Sequence, residues 1–300
     1  MRRLLITGAT GFVGSHLAYR ARHHWRVYGT FLSHRNHPPW IEAIRFDLAK
    51  DNPSILLDTM NPDRVVHAAA IARTEACHLD PEKAHQVNVK GSERLASACA
   101  THKIPFIFLS TDMVFDGTNP PYSESSPPNP QTHYGKTKLA AEEAVRTKHP
   151  TATIVRSNLV YGHGLGWSTS FSEYILNTLK KDGKVTLFED QYRSPISVRN
   201  LSDVLLEIVE NPLKKLIHIS GPDRLSRLEF GRKLAEFKGI DPQNIQGNRM
   251  ADHSLDIPFP LDTSFDIGLA KTLINTKLLG IQSGLELEYL TEVEEWIGKK

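Results

Sequence analysis

Cysteine is nearly absent: Cys77 and Cys99 are the only two in 300 residues, and no C-x-x-C spacing occurs. Neither a disulfide framework nor a structural zinc site is supported, and this usage suits a reducing cytoplasm. An excess of one charge is missing as well. The 36 Lys plus Arg nearly cancel the 34 Asp plus Glu, so the formal +2 gives no general case for a nucleic-acid or membrane surface. The chain lacks the roughly 18-residue apolar run that spans a bilayer. Its opening run, Leu4-Leu5-Ile6, is stopped by Thr7-Gly8, well short of the roughly 7 to 15 apolar residues of a signal peptide, and reads as a first strand. No internal repeat or low-complexity segment is present, and at roughly 150 residues per domain the length allows one large or two modest domains.

What is present is a βα rhythm. Leu4 to Thr7 reads as a strand, Gly8 to Gly14 as a glycine-rich turn and Phe12 to Arg22 as a helix. Val27 to Leu32, Ile44 to Phe46, Arg64 to Ala69, Phe106 to Ser110 and Thr153 to Arg156 read as further strands. Apolar strands separated by crossover helices predict an α/β fold of the Rossmann type, a doubly wound parallel sheet. Asp80-Pro81 opens a helix to about His102, and Asp116 to Pro130, with five prolines, must be a loop. Later helices are expected over Ser168 to Lys181, Leu201 to Val209, from the Ser226/Glu229 capping box to Phe237, and over Leu285 to Ile297. Residues 1–160 are expected to bind the cofactor, with 190–210 returning to that domain. Residues 161–300 mainly form a smaller substrate lobe.

Gly8, Gly11 and Gly14 form G-x-x-G-x-x-G between the first strand and helix, where a turn without side chains lets backbone N–H groups approach a pyrophosphate. About 20 residues on, the acid that would read a ribose 2′-hydroxyl is missing and Arg35 stands instead. This favours NADP(H), with NAD(H) still open. Asp47 either bonds the adenine or caps its own turn. Tyr134 and Lys138 lie four residues apart on one helical face, a spacing that lets an ammonium stabilise a phenolate for acid–base work. Ser110 and Thr111 end the fifth strand, where open α/β sheets hold their ligands, and can bind a reacting carbonyl.

These motifs resemble those of the extended short-chain dehydrogenase/reductases. Thr7 to Gly14, including Thr10, Phe12 and Val13, matches the T-G-A-T-G-F-V-G fingerprint, Asp47-Leu48 the adenine-side pair, His67-Ala68-Ala69-Ala70 the end of the fourth strand, Asn88 the next helix, and Tyr134 with Lys138 the catalytic pair. Within that superfamily, Ser110-Thr111-Asp112-Met113-Val114-Phe115-Asp116-Gly117 is similar to the S-T-D-x-V-F-D-G stretch of the dTDP-4-dehydrorhamnose reductase group. Arg156 to Gly162, Asp190-Gln191 with Ser194-Pro195, and Leu261 to Asp266 with Lys271 look like later segments of the same group.

The resemblance implies NADPH-dependent reduction of the C4 keto group of a nucleotide-activated 4-keto-6-deoxysugar. Thr111 would hold the carbonyl, Tyr134 protonate the alkoxide, and Lys138 orient the nicotinamide ribose. Ser110, Asp112, Met113, Asn158 and Arg193 would line the substrate. Arg193 and Arg199 could grip a diphosphate or be ordinary surface charges, and Trp167 could stack on a base or sit in a core. Related dehydratases carry Thr-Asp-Glu, whereas Met113 stands here and a thioether cannot transfer a proton. The group's Arg-Thr-x-Trp-Val-Tyr-Gly appears as Arg156-Ser157-Asn158-Leu159-Val160-Tyr161-Gly162, without its tryptophan. A catalytically silent NADP- or nucleotide-sugar-binding regulatory subunit, resembling the beta subunit of methionine adenosyltransferase, and a nucleotide-sugar epimerase are the alternatives. A homodimer is left open. No metal site is expected, because His23-His24 are adjacent, and His34 with His37 sits in a loop without a third ligand.

Overall fold

The computed structural model describes residues 1–33, 37–165, 168–252 and 256–290. Its centre is a parallel seven-stranded sheet built from β1 (Arg3–Thr7), β2 (Arg26–Phe31), β3 (Glu42–Arg45), β4 (Arg64–His67), β5 (Phe106–Thr111), β6 (Thr153–Ser157) and β7 (Leu216–Ile219). The spatial order is β7-β6-β5-β4-β1-β2-β3. The order reverses between β1 and β4, and a crevice opens there at the carboxyl ends of the strands.

Alternation along each strand feeds two cores. Leu4, Ile6, Val66, Ile107, Val155 and Ile217 pack on one face with the helices Phe12–Ala21 and Val198–Glu210. Leu5, Val65, Phe106, Phe108 and Ile154 pack on the other with Pro53–Met60, Ser92–Thr101 and His133–Lys148. A third core joins Tyr161, Ile175, Leu179, Leu187, Phe230 and Leu234 in the lobe. This lobe holds the helices Phe171–Asp182 and Arg227–Phe237 and a parallel pair, Val185–Phe188 with Ile245–Asn248. The expected capping box at Ser226 and Glu229 is formed, and Ser170 with Glu173 makes a second.

Three elements differ from the expectation. The chain returns to the main sheet not only through Val198–Glu210 but through β7, which sequence periodicity misses because a buried histidine, His218, interrupts a four-residue run. The helix after Asp80 is continuous to Thr101 but contains a π-helical turn, His85–Gly91, which puts one residue too many into the coil. The last helix begins earlier, at Ile281, and is described to Tyr289; residues 291–300 lie outside the described part.

Candidate active site

The glycine turn is shaped by close backbone approach. Gly8 adopts φ +70°, and a Cβ on Gly14 would stand 2.2 Å from the Gly8 carbonyl oxygen, so a side chain at either point is resisted by main chain rather than by a movable neighbour. The turn is tied to β4 by a buried relay. His67, its pKa pushed down to about 3 by burial and then by the charge of Lys138, is neutral. Ser92 Oγ donates to the Asn88 carbonyl at 2.6 Å, so it accepts from His67 Nε2 at 2.9 Å. His67 Nδ1 must then accept from Thr7 Oγ1 at 2.6 Å, and Thr7 Oγ1 accepts from the Ala69 N–H at 3.3 Å. Only one tautomer satisfies this chain, and it fixes Gly8 against Ala68 to Ala70. Gly8, Gly11, Phe12, Val13, Gly14, Ala68 and Ala70 line a cavity of about 300 Å³ that ends at Ser110, Thr111, Tyr134, Lys138 and Asn158.

The helix His133–Lys148 brings the chemistry to that end. Thr132 caps it by accepting from the Gly135 N–H at 3.0 Å, and a Cβ on Gly135 would meet the Met113 carbonyl at 2.1 Å, so the helix lies directly on the turn after β5. Tyr134 faces Thr111: burial raises the Tyr134 pKa well above the ordinary tyrosine range, and the hydrogen bond with Thr111 only partly opposes this. The hydroxyl is therefore protonated and can donate. Lys138 Nζ donates to the Leu109 carbonyl at 2.7 Å and stands 4.0 Å from the centre of the Phe108 ring. Burial lowers its pKa to about 7, with Glu142 opposing. Asn88, presented by the π turn, bonds Ile71 N at 2.8 Å and Ile71 O at 3.1 Å, and donates to Thr137 Oγ1 at 3.0 Å, tying the β4 loop to the helix His133–Lys148.

Beneath these groups runs a polar row. Ser110, Arg156 and His218 are register partners across β5, β6 and β7. Glu142 covers the row, receiving Ser110 Oγ and both Arg156 Nε at 2.9 Å and Arg156 Nη2 at 2.7 Å. The pair is 4% and 1% exposed, so each charge depends on the other. Tyr134, Lys138 and Glu142 thus occupy successive turns of one helix, from the cavity to the base of the sheet.

A second cavity, of about 260 Å³, lies on the other side of Tyr134 and is lined by Asp112, Met113, Leu159, Phe188, Gln191, Arg193, Arg227 and Phe259. Several polar groups assigned to substrate by sequence are committed to protein. Ser110 serves Glu142. Asn158 donates to Thr263 O at 2.7 Å and accepts from Ser194 N at 3.0 Å and Leu159 N at 2.8 Å. Asp112 accepts from Thr263 Oγ1 and stands 3.2 Å from Arg193 Nε. Arg193, 2% exposed, also donates to the carbonyls of Tyr192 at 2.6 Å, Leu261 at 3.2 Å and Pro260 at 3.2 Å. Met113 faces the cavity with no acid–base capacity.

On the cofactor side, Asp47 Oδ1 accepts from Ala49 N at 2.9 Å, a turn-capping contact, and Leu48 is buried against Gly91. Thr10, which is buried, and Ala69 are not in the cavity lining. Arg35 and Trp167 fall outside the described residues. Arg199, the other arginine considered for a diphosphate, donates to the Leu287 carbonyl at 2.6 Å. Sequence reasoning missed Phe188, Phe259 and Arg227. A cation at the first position of a helix, as Arg227 is, opposes the helix dipole, and that was the available signal.

The family profile described as the RmlD substrate-binding domain matches residues 1–293. The chain belongs to this family. Among its relatives are the probable low-salt glycan biosynthesis reductase Agl14 of Haloferax volcanii, 33% identical over 84% of this chain and 85% of that one. The methionine adenosyltransferase 2 subunit beta of Xenopus laevis is 32% identical over 78% and 72%, and the dTDP-4-dehydrorhamnose reductase of Mycolicibacterium smegmatis 31% over 86% and 76%. The fold matches the dTDP-4-dehydrorhamnose reductase of Bacillus anthracis in complex with NADP at TM-score 0.84 and 22% identity, covering 97% and 100% of the two chains. It also matches the UDP-glucuronic acid 4-epimerase of Bacillus cereus in complex with UDP-glucuronic acid and NAD at TM-score 0.81 and 24% identity, covering 96% and 98%. This RmlD-family chain is an extended short-chain dehydrogenase/reductase with that superfamily's oxidoreductase architecture. Among the described residues no helix is long and apolar enough to cross a membrane.

Proposed function

We propose that this RmlD-family protein reduces the C4 keto group of a nucleotide-activated 4-keto-6-deoxysugar with NADPH. The observation that carries the reading is that Tyr134 lines both cavities at once, so its hydroxyl is available on the boundary between cofactor side and substrate side. The glycine cradle, which a Cβ would fill, fits a dinucleotide's pyrophosphate, and Lys138 is placed to orient its ribose. When bound, the nicotinamide supplies the hydride. Thr111 Oγ1, which donates to Asp112 Oδ1 at 3.2 Å, turns its hydrogen to the ketone oxygen when substrate is bound. Tyr134 delivers its proton to that oxygen as negative charge develops, which its raised pKa makes possible across the neutral range. Lys138 offsets the phenolate that remains. Met113 at the position where dehydration needs an acid favours reduction over water elimination.

A Tyr134→Phe protein tests this directly. Oxidation of NADPH, followed by absorbance with a ketosugar nucleotide generated in place and NADH run in parallel, is expected to slow about 10²-fold or more while NADPH binding persists. Undiminished turnover removes Tyr134 from its role. The likeness to methionine adenosyltransferase 2 subunit beta favours a second reading, a binding subunit without turnover. Tight cofactor binding with no oxidation of NADPH over a panel of ketosugar nucleotides selects that reading.

A further inference from the structure

The substrate cavity is walled by two guanidiniums, Arg193 and Arg227, and one carboxylate, Asp112. Asp112 stands against Arg193, so among the described lining residues one positive charge is left without a counter-charge. The two arginines are held very differently. Arg193 spends its N–H groups on Asp112, on the carbonyls of Tyr192, Leu261 and Pro260, and on the sulfur of Met113 at 3.9 Å. Arg227 is gripped from behind. Its main-chain N–H donates to Gln191 O at 3.0 Å, its Nε donates to Gln191 Oε1 at 2.9 Å, and its guanidinium lies 4.5 Å from the centre of the Phe171 ring. Nη1 and Nη2 have no acceptor among the described residues. The result is a fork with one edge and one face fixed and the other edge unspent, the arrangement in which a guanidinium binds two anionic oxygens with little loss of freedom.

We infer that Arg227 is the residue that takes the substrate's anionic oxygens, supplied by the diphosphate of a nucleotide sugar, while Arg193 is a strut that holds Asp112 and the 260–262 segment in place. The assignment rests on the nucleotide-sugar reading above and says which residue recognises the carrier. A carboxylated sugar is the other source of such oxygens, and the test separates the two.

The test is calorimetric titration of the whole protein with dTDP, UDP, thymidine and glucuronic acid, using Arg227→Gln, Arg227→Lys and Arg193→Gln. Arg227→Gln is expected to weaken dTDP or UDP about 10- to 100-fold, the worth of a lost charge-assisted pair, with thymidine and NADP⁺ binding unchanged. Arg227→Lys should recover part of the loss. Arg193→Gln is expected to lower the unfolding midpoint instead. Equal diphosphate affinity in Arg227→Gln and wild type overturns the inference, as does an equal loss for thymidine. A loss confined to glucuronic acid overturns the diphosphate as the source, and so does a wild-type protein that binds NADP⁺ but neither diphosphate. Failure of the ketoreductase reading is seen separately, as diphosphate binding by a wild-type protein that never oxidises NADPH.

Discussion

On the cofactor side of Tyr134 the far end of the cleft is surfaced by the glycine turn and by Ala68, Ala70 and Ala72, with Phe12 and Val13 beside them, whereas the substrate side is surfaced by Met113, Phe188, Phe259 and two arginines. A backbone surface has one shape, set by φ/ψ and by close approach, and it suits a ligand part that does not vary. A side-chain surface can be altered one residue at a time without moving the chain. Tyr134, which lines both, shares its helix with Glu142, so disturbance of the Glu142 and Arg156 pair reaches both.

The largest effect is therefore expected from this pair. Glu142→Gln leaves Arg156 charged and buried, which costs about 3–5 kcal/mol of folding free energy, measured by urea unfolding. A change under about 1 kcal/mol would show that water or His218 compensates and that the two halves are less coupled than their geometry implies. Next comes Gly14→Ala. Its Cβ meets the Gly8 carbonyl oxygen, so about 1–3 kcal/mol of strain should appear as lost stability or weakened NADPH binding. Intact cofactor affinity in a stable Gly14→Ala protein would break the idea of a rigid cofactor half.

A pH profile sharpens the comparison at Lys138, which sits between the halves. kcat/KM for NADPH is expected to fall as pH rises through about 7, where the buried ammonium loses its proton, with no limb from Tyr134 in the same range. A profile flat from about pH 6 to 9 counts against it. The sign of the stability effect is opposite. The unfolded chain holds the lysine proton to higher pH, so the destabilising contribution of this group is full below about pH 7 and shrinks as pH rises towards the ordinary lysine range. The smallest effect is predicted for Met113→Leu, a volume-conserving change on the substrate wall. It should cost less than about 1.5 kcal/mol and move KM for the sugar nucleotide more than kcat.

The same contrast explains what the sequence discloses. The glycine turn and the Tyr134/Lys138 pair are local, spaced by three or four residues, and read directly as chemistry. The substrate wall joins Asp112 to Arg193 and Thr263, residues 81 and 151 positions further on, and no periodicity marks such a meeting. Sequence can show that Arg193 carries a guanidinium but not that three carbonyls surround it. β7 escaped because His218, which a strand interior would seldom hold, completes the polar row with Arg156.

The π turn at His85–Gly91 sets two requirements against each other. Deleting one residue there would restore regular α-helical spacing and shed a locally unfavourable coil. The same deletion would remove the extra residue whose widened turn presents Asn88. Asn88 could then not keep both Ile71 and Thr137, and the helix His133–Lys148 would lose its tether to the β4 loop. A shorter chain at this point would be the better helix and the poorer enzyme, so selection for stability and selection for turnover pull this segment towards different lengths.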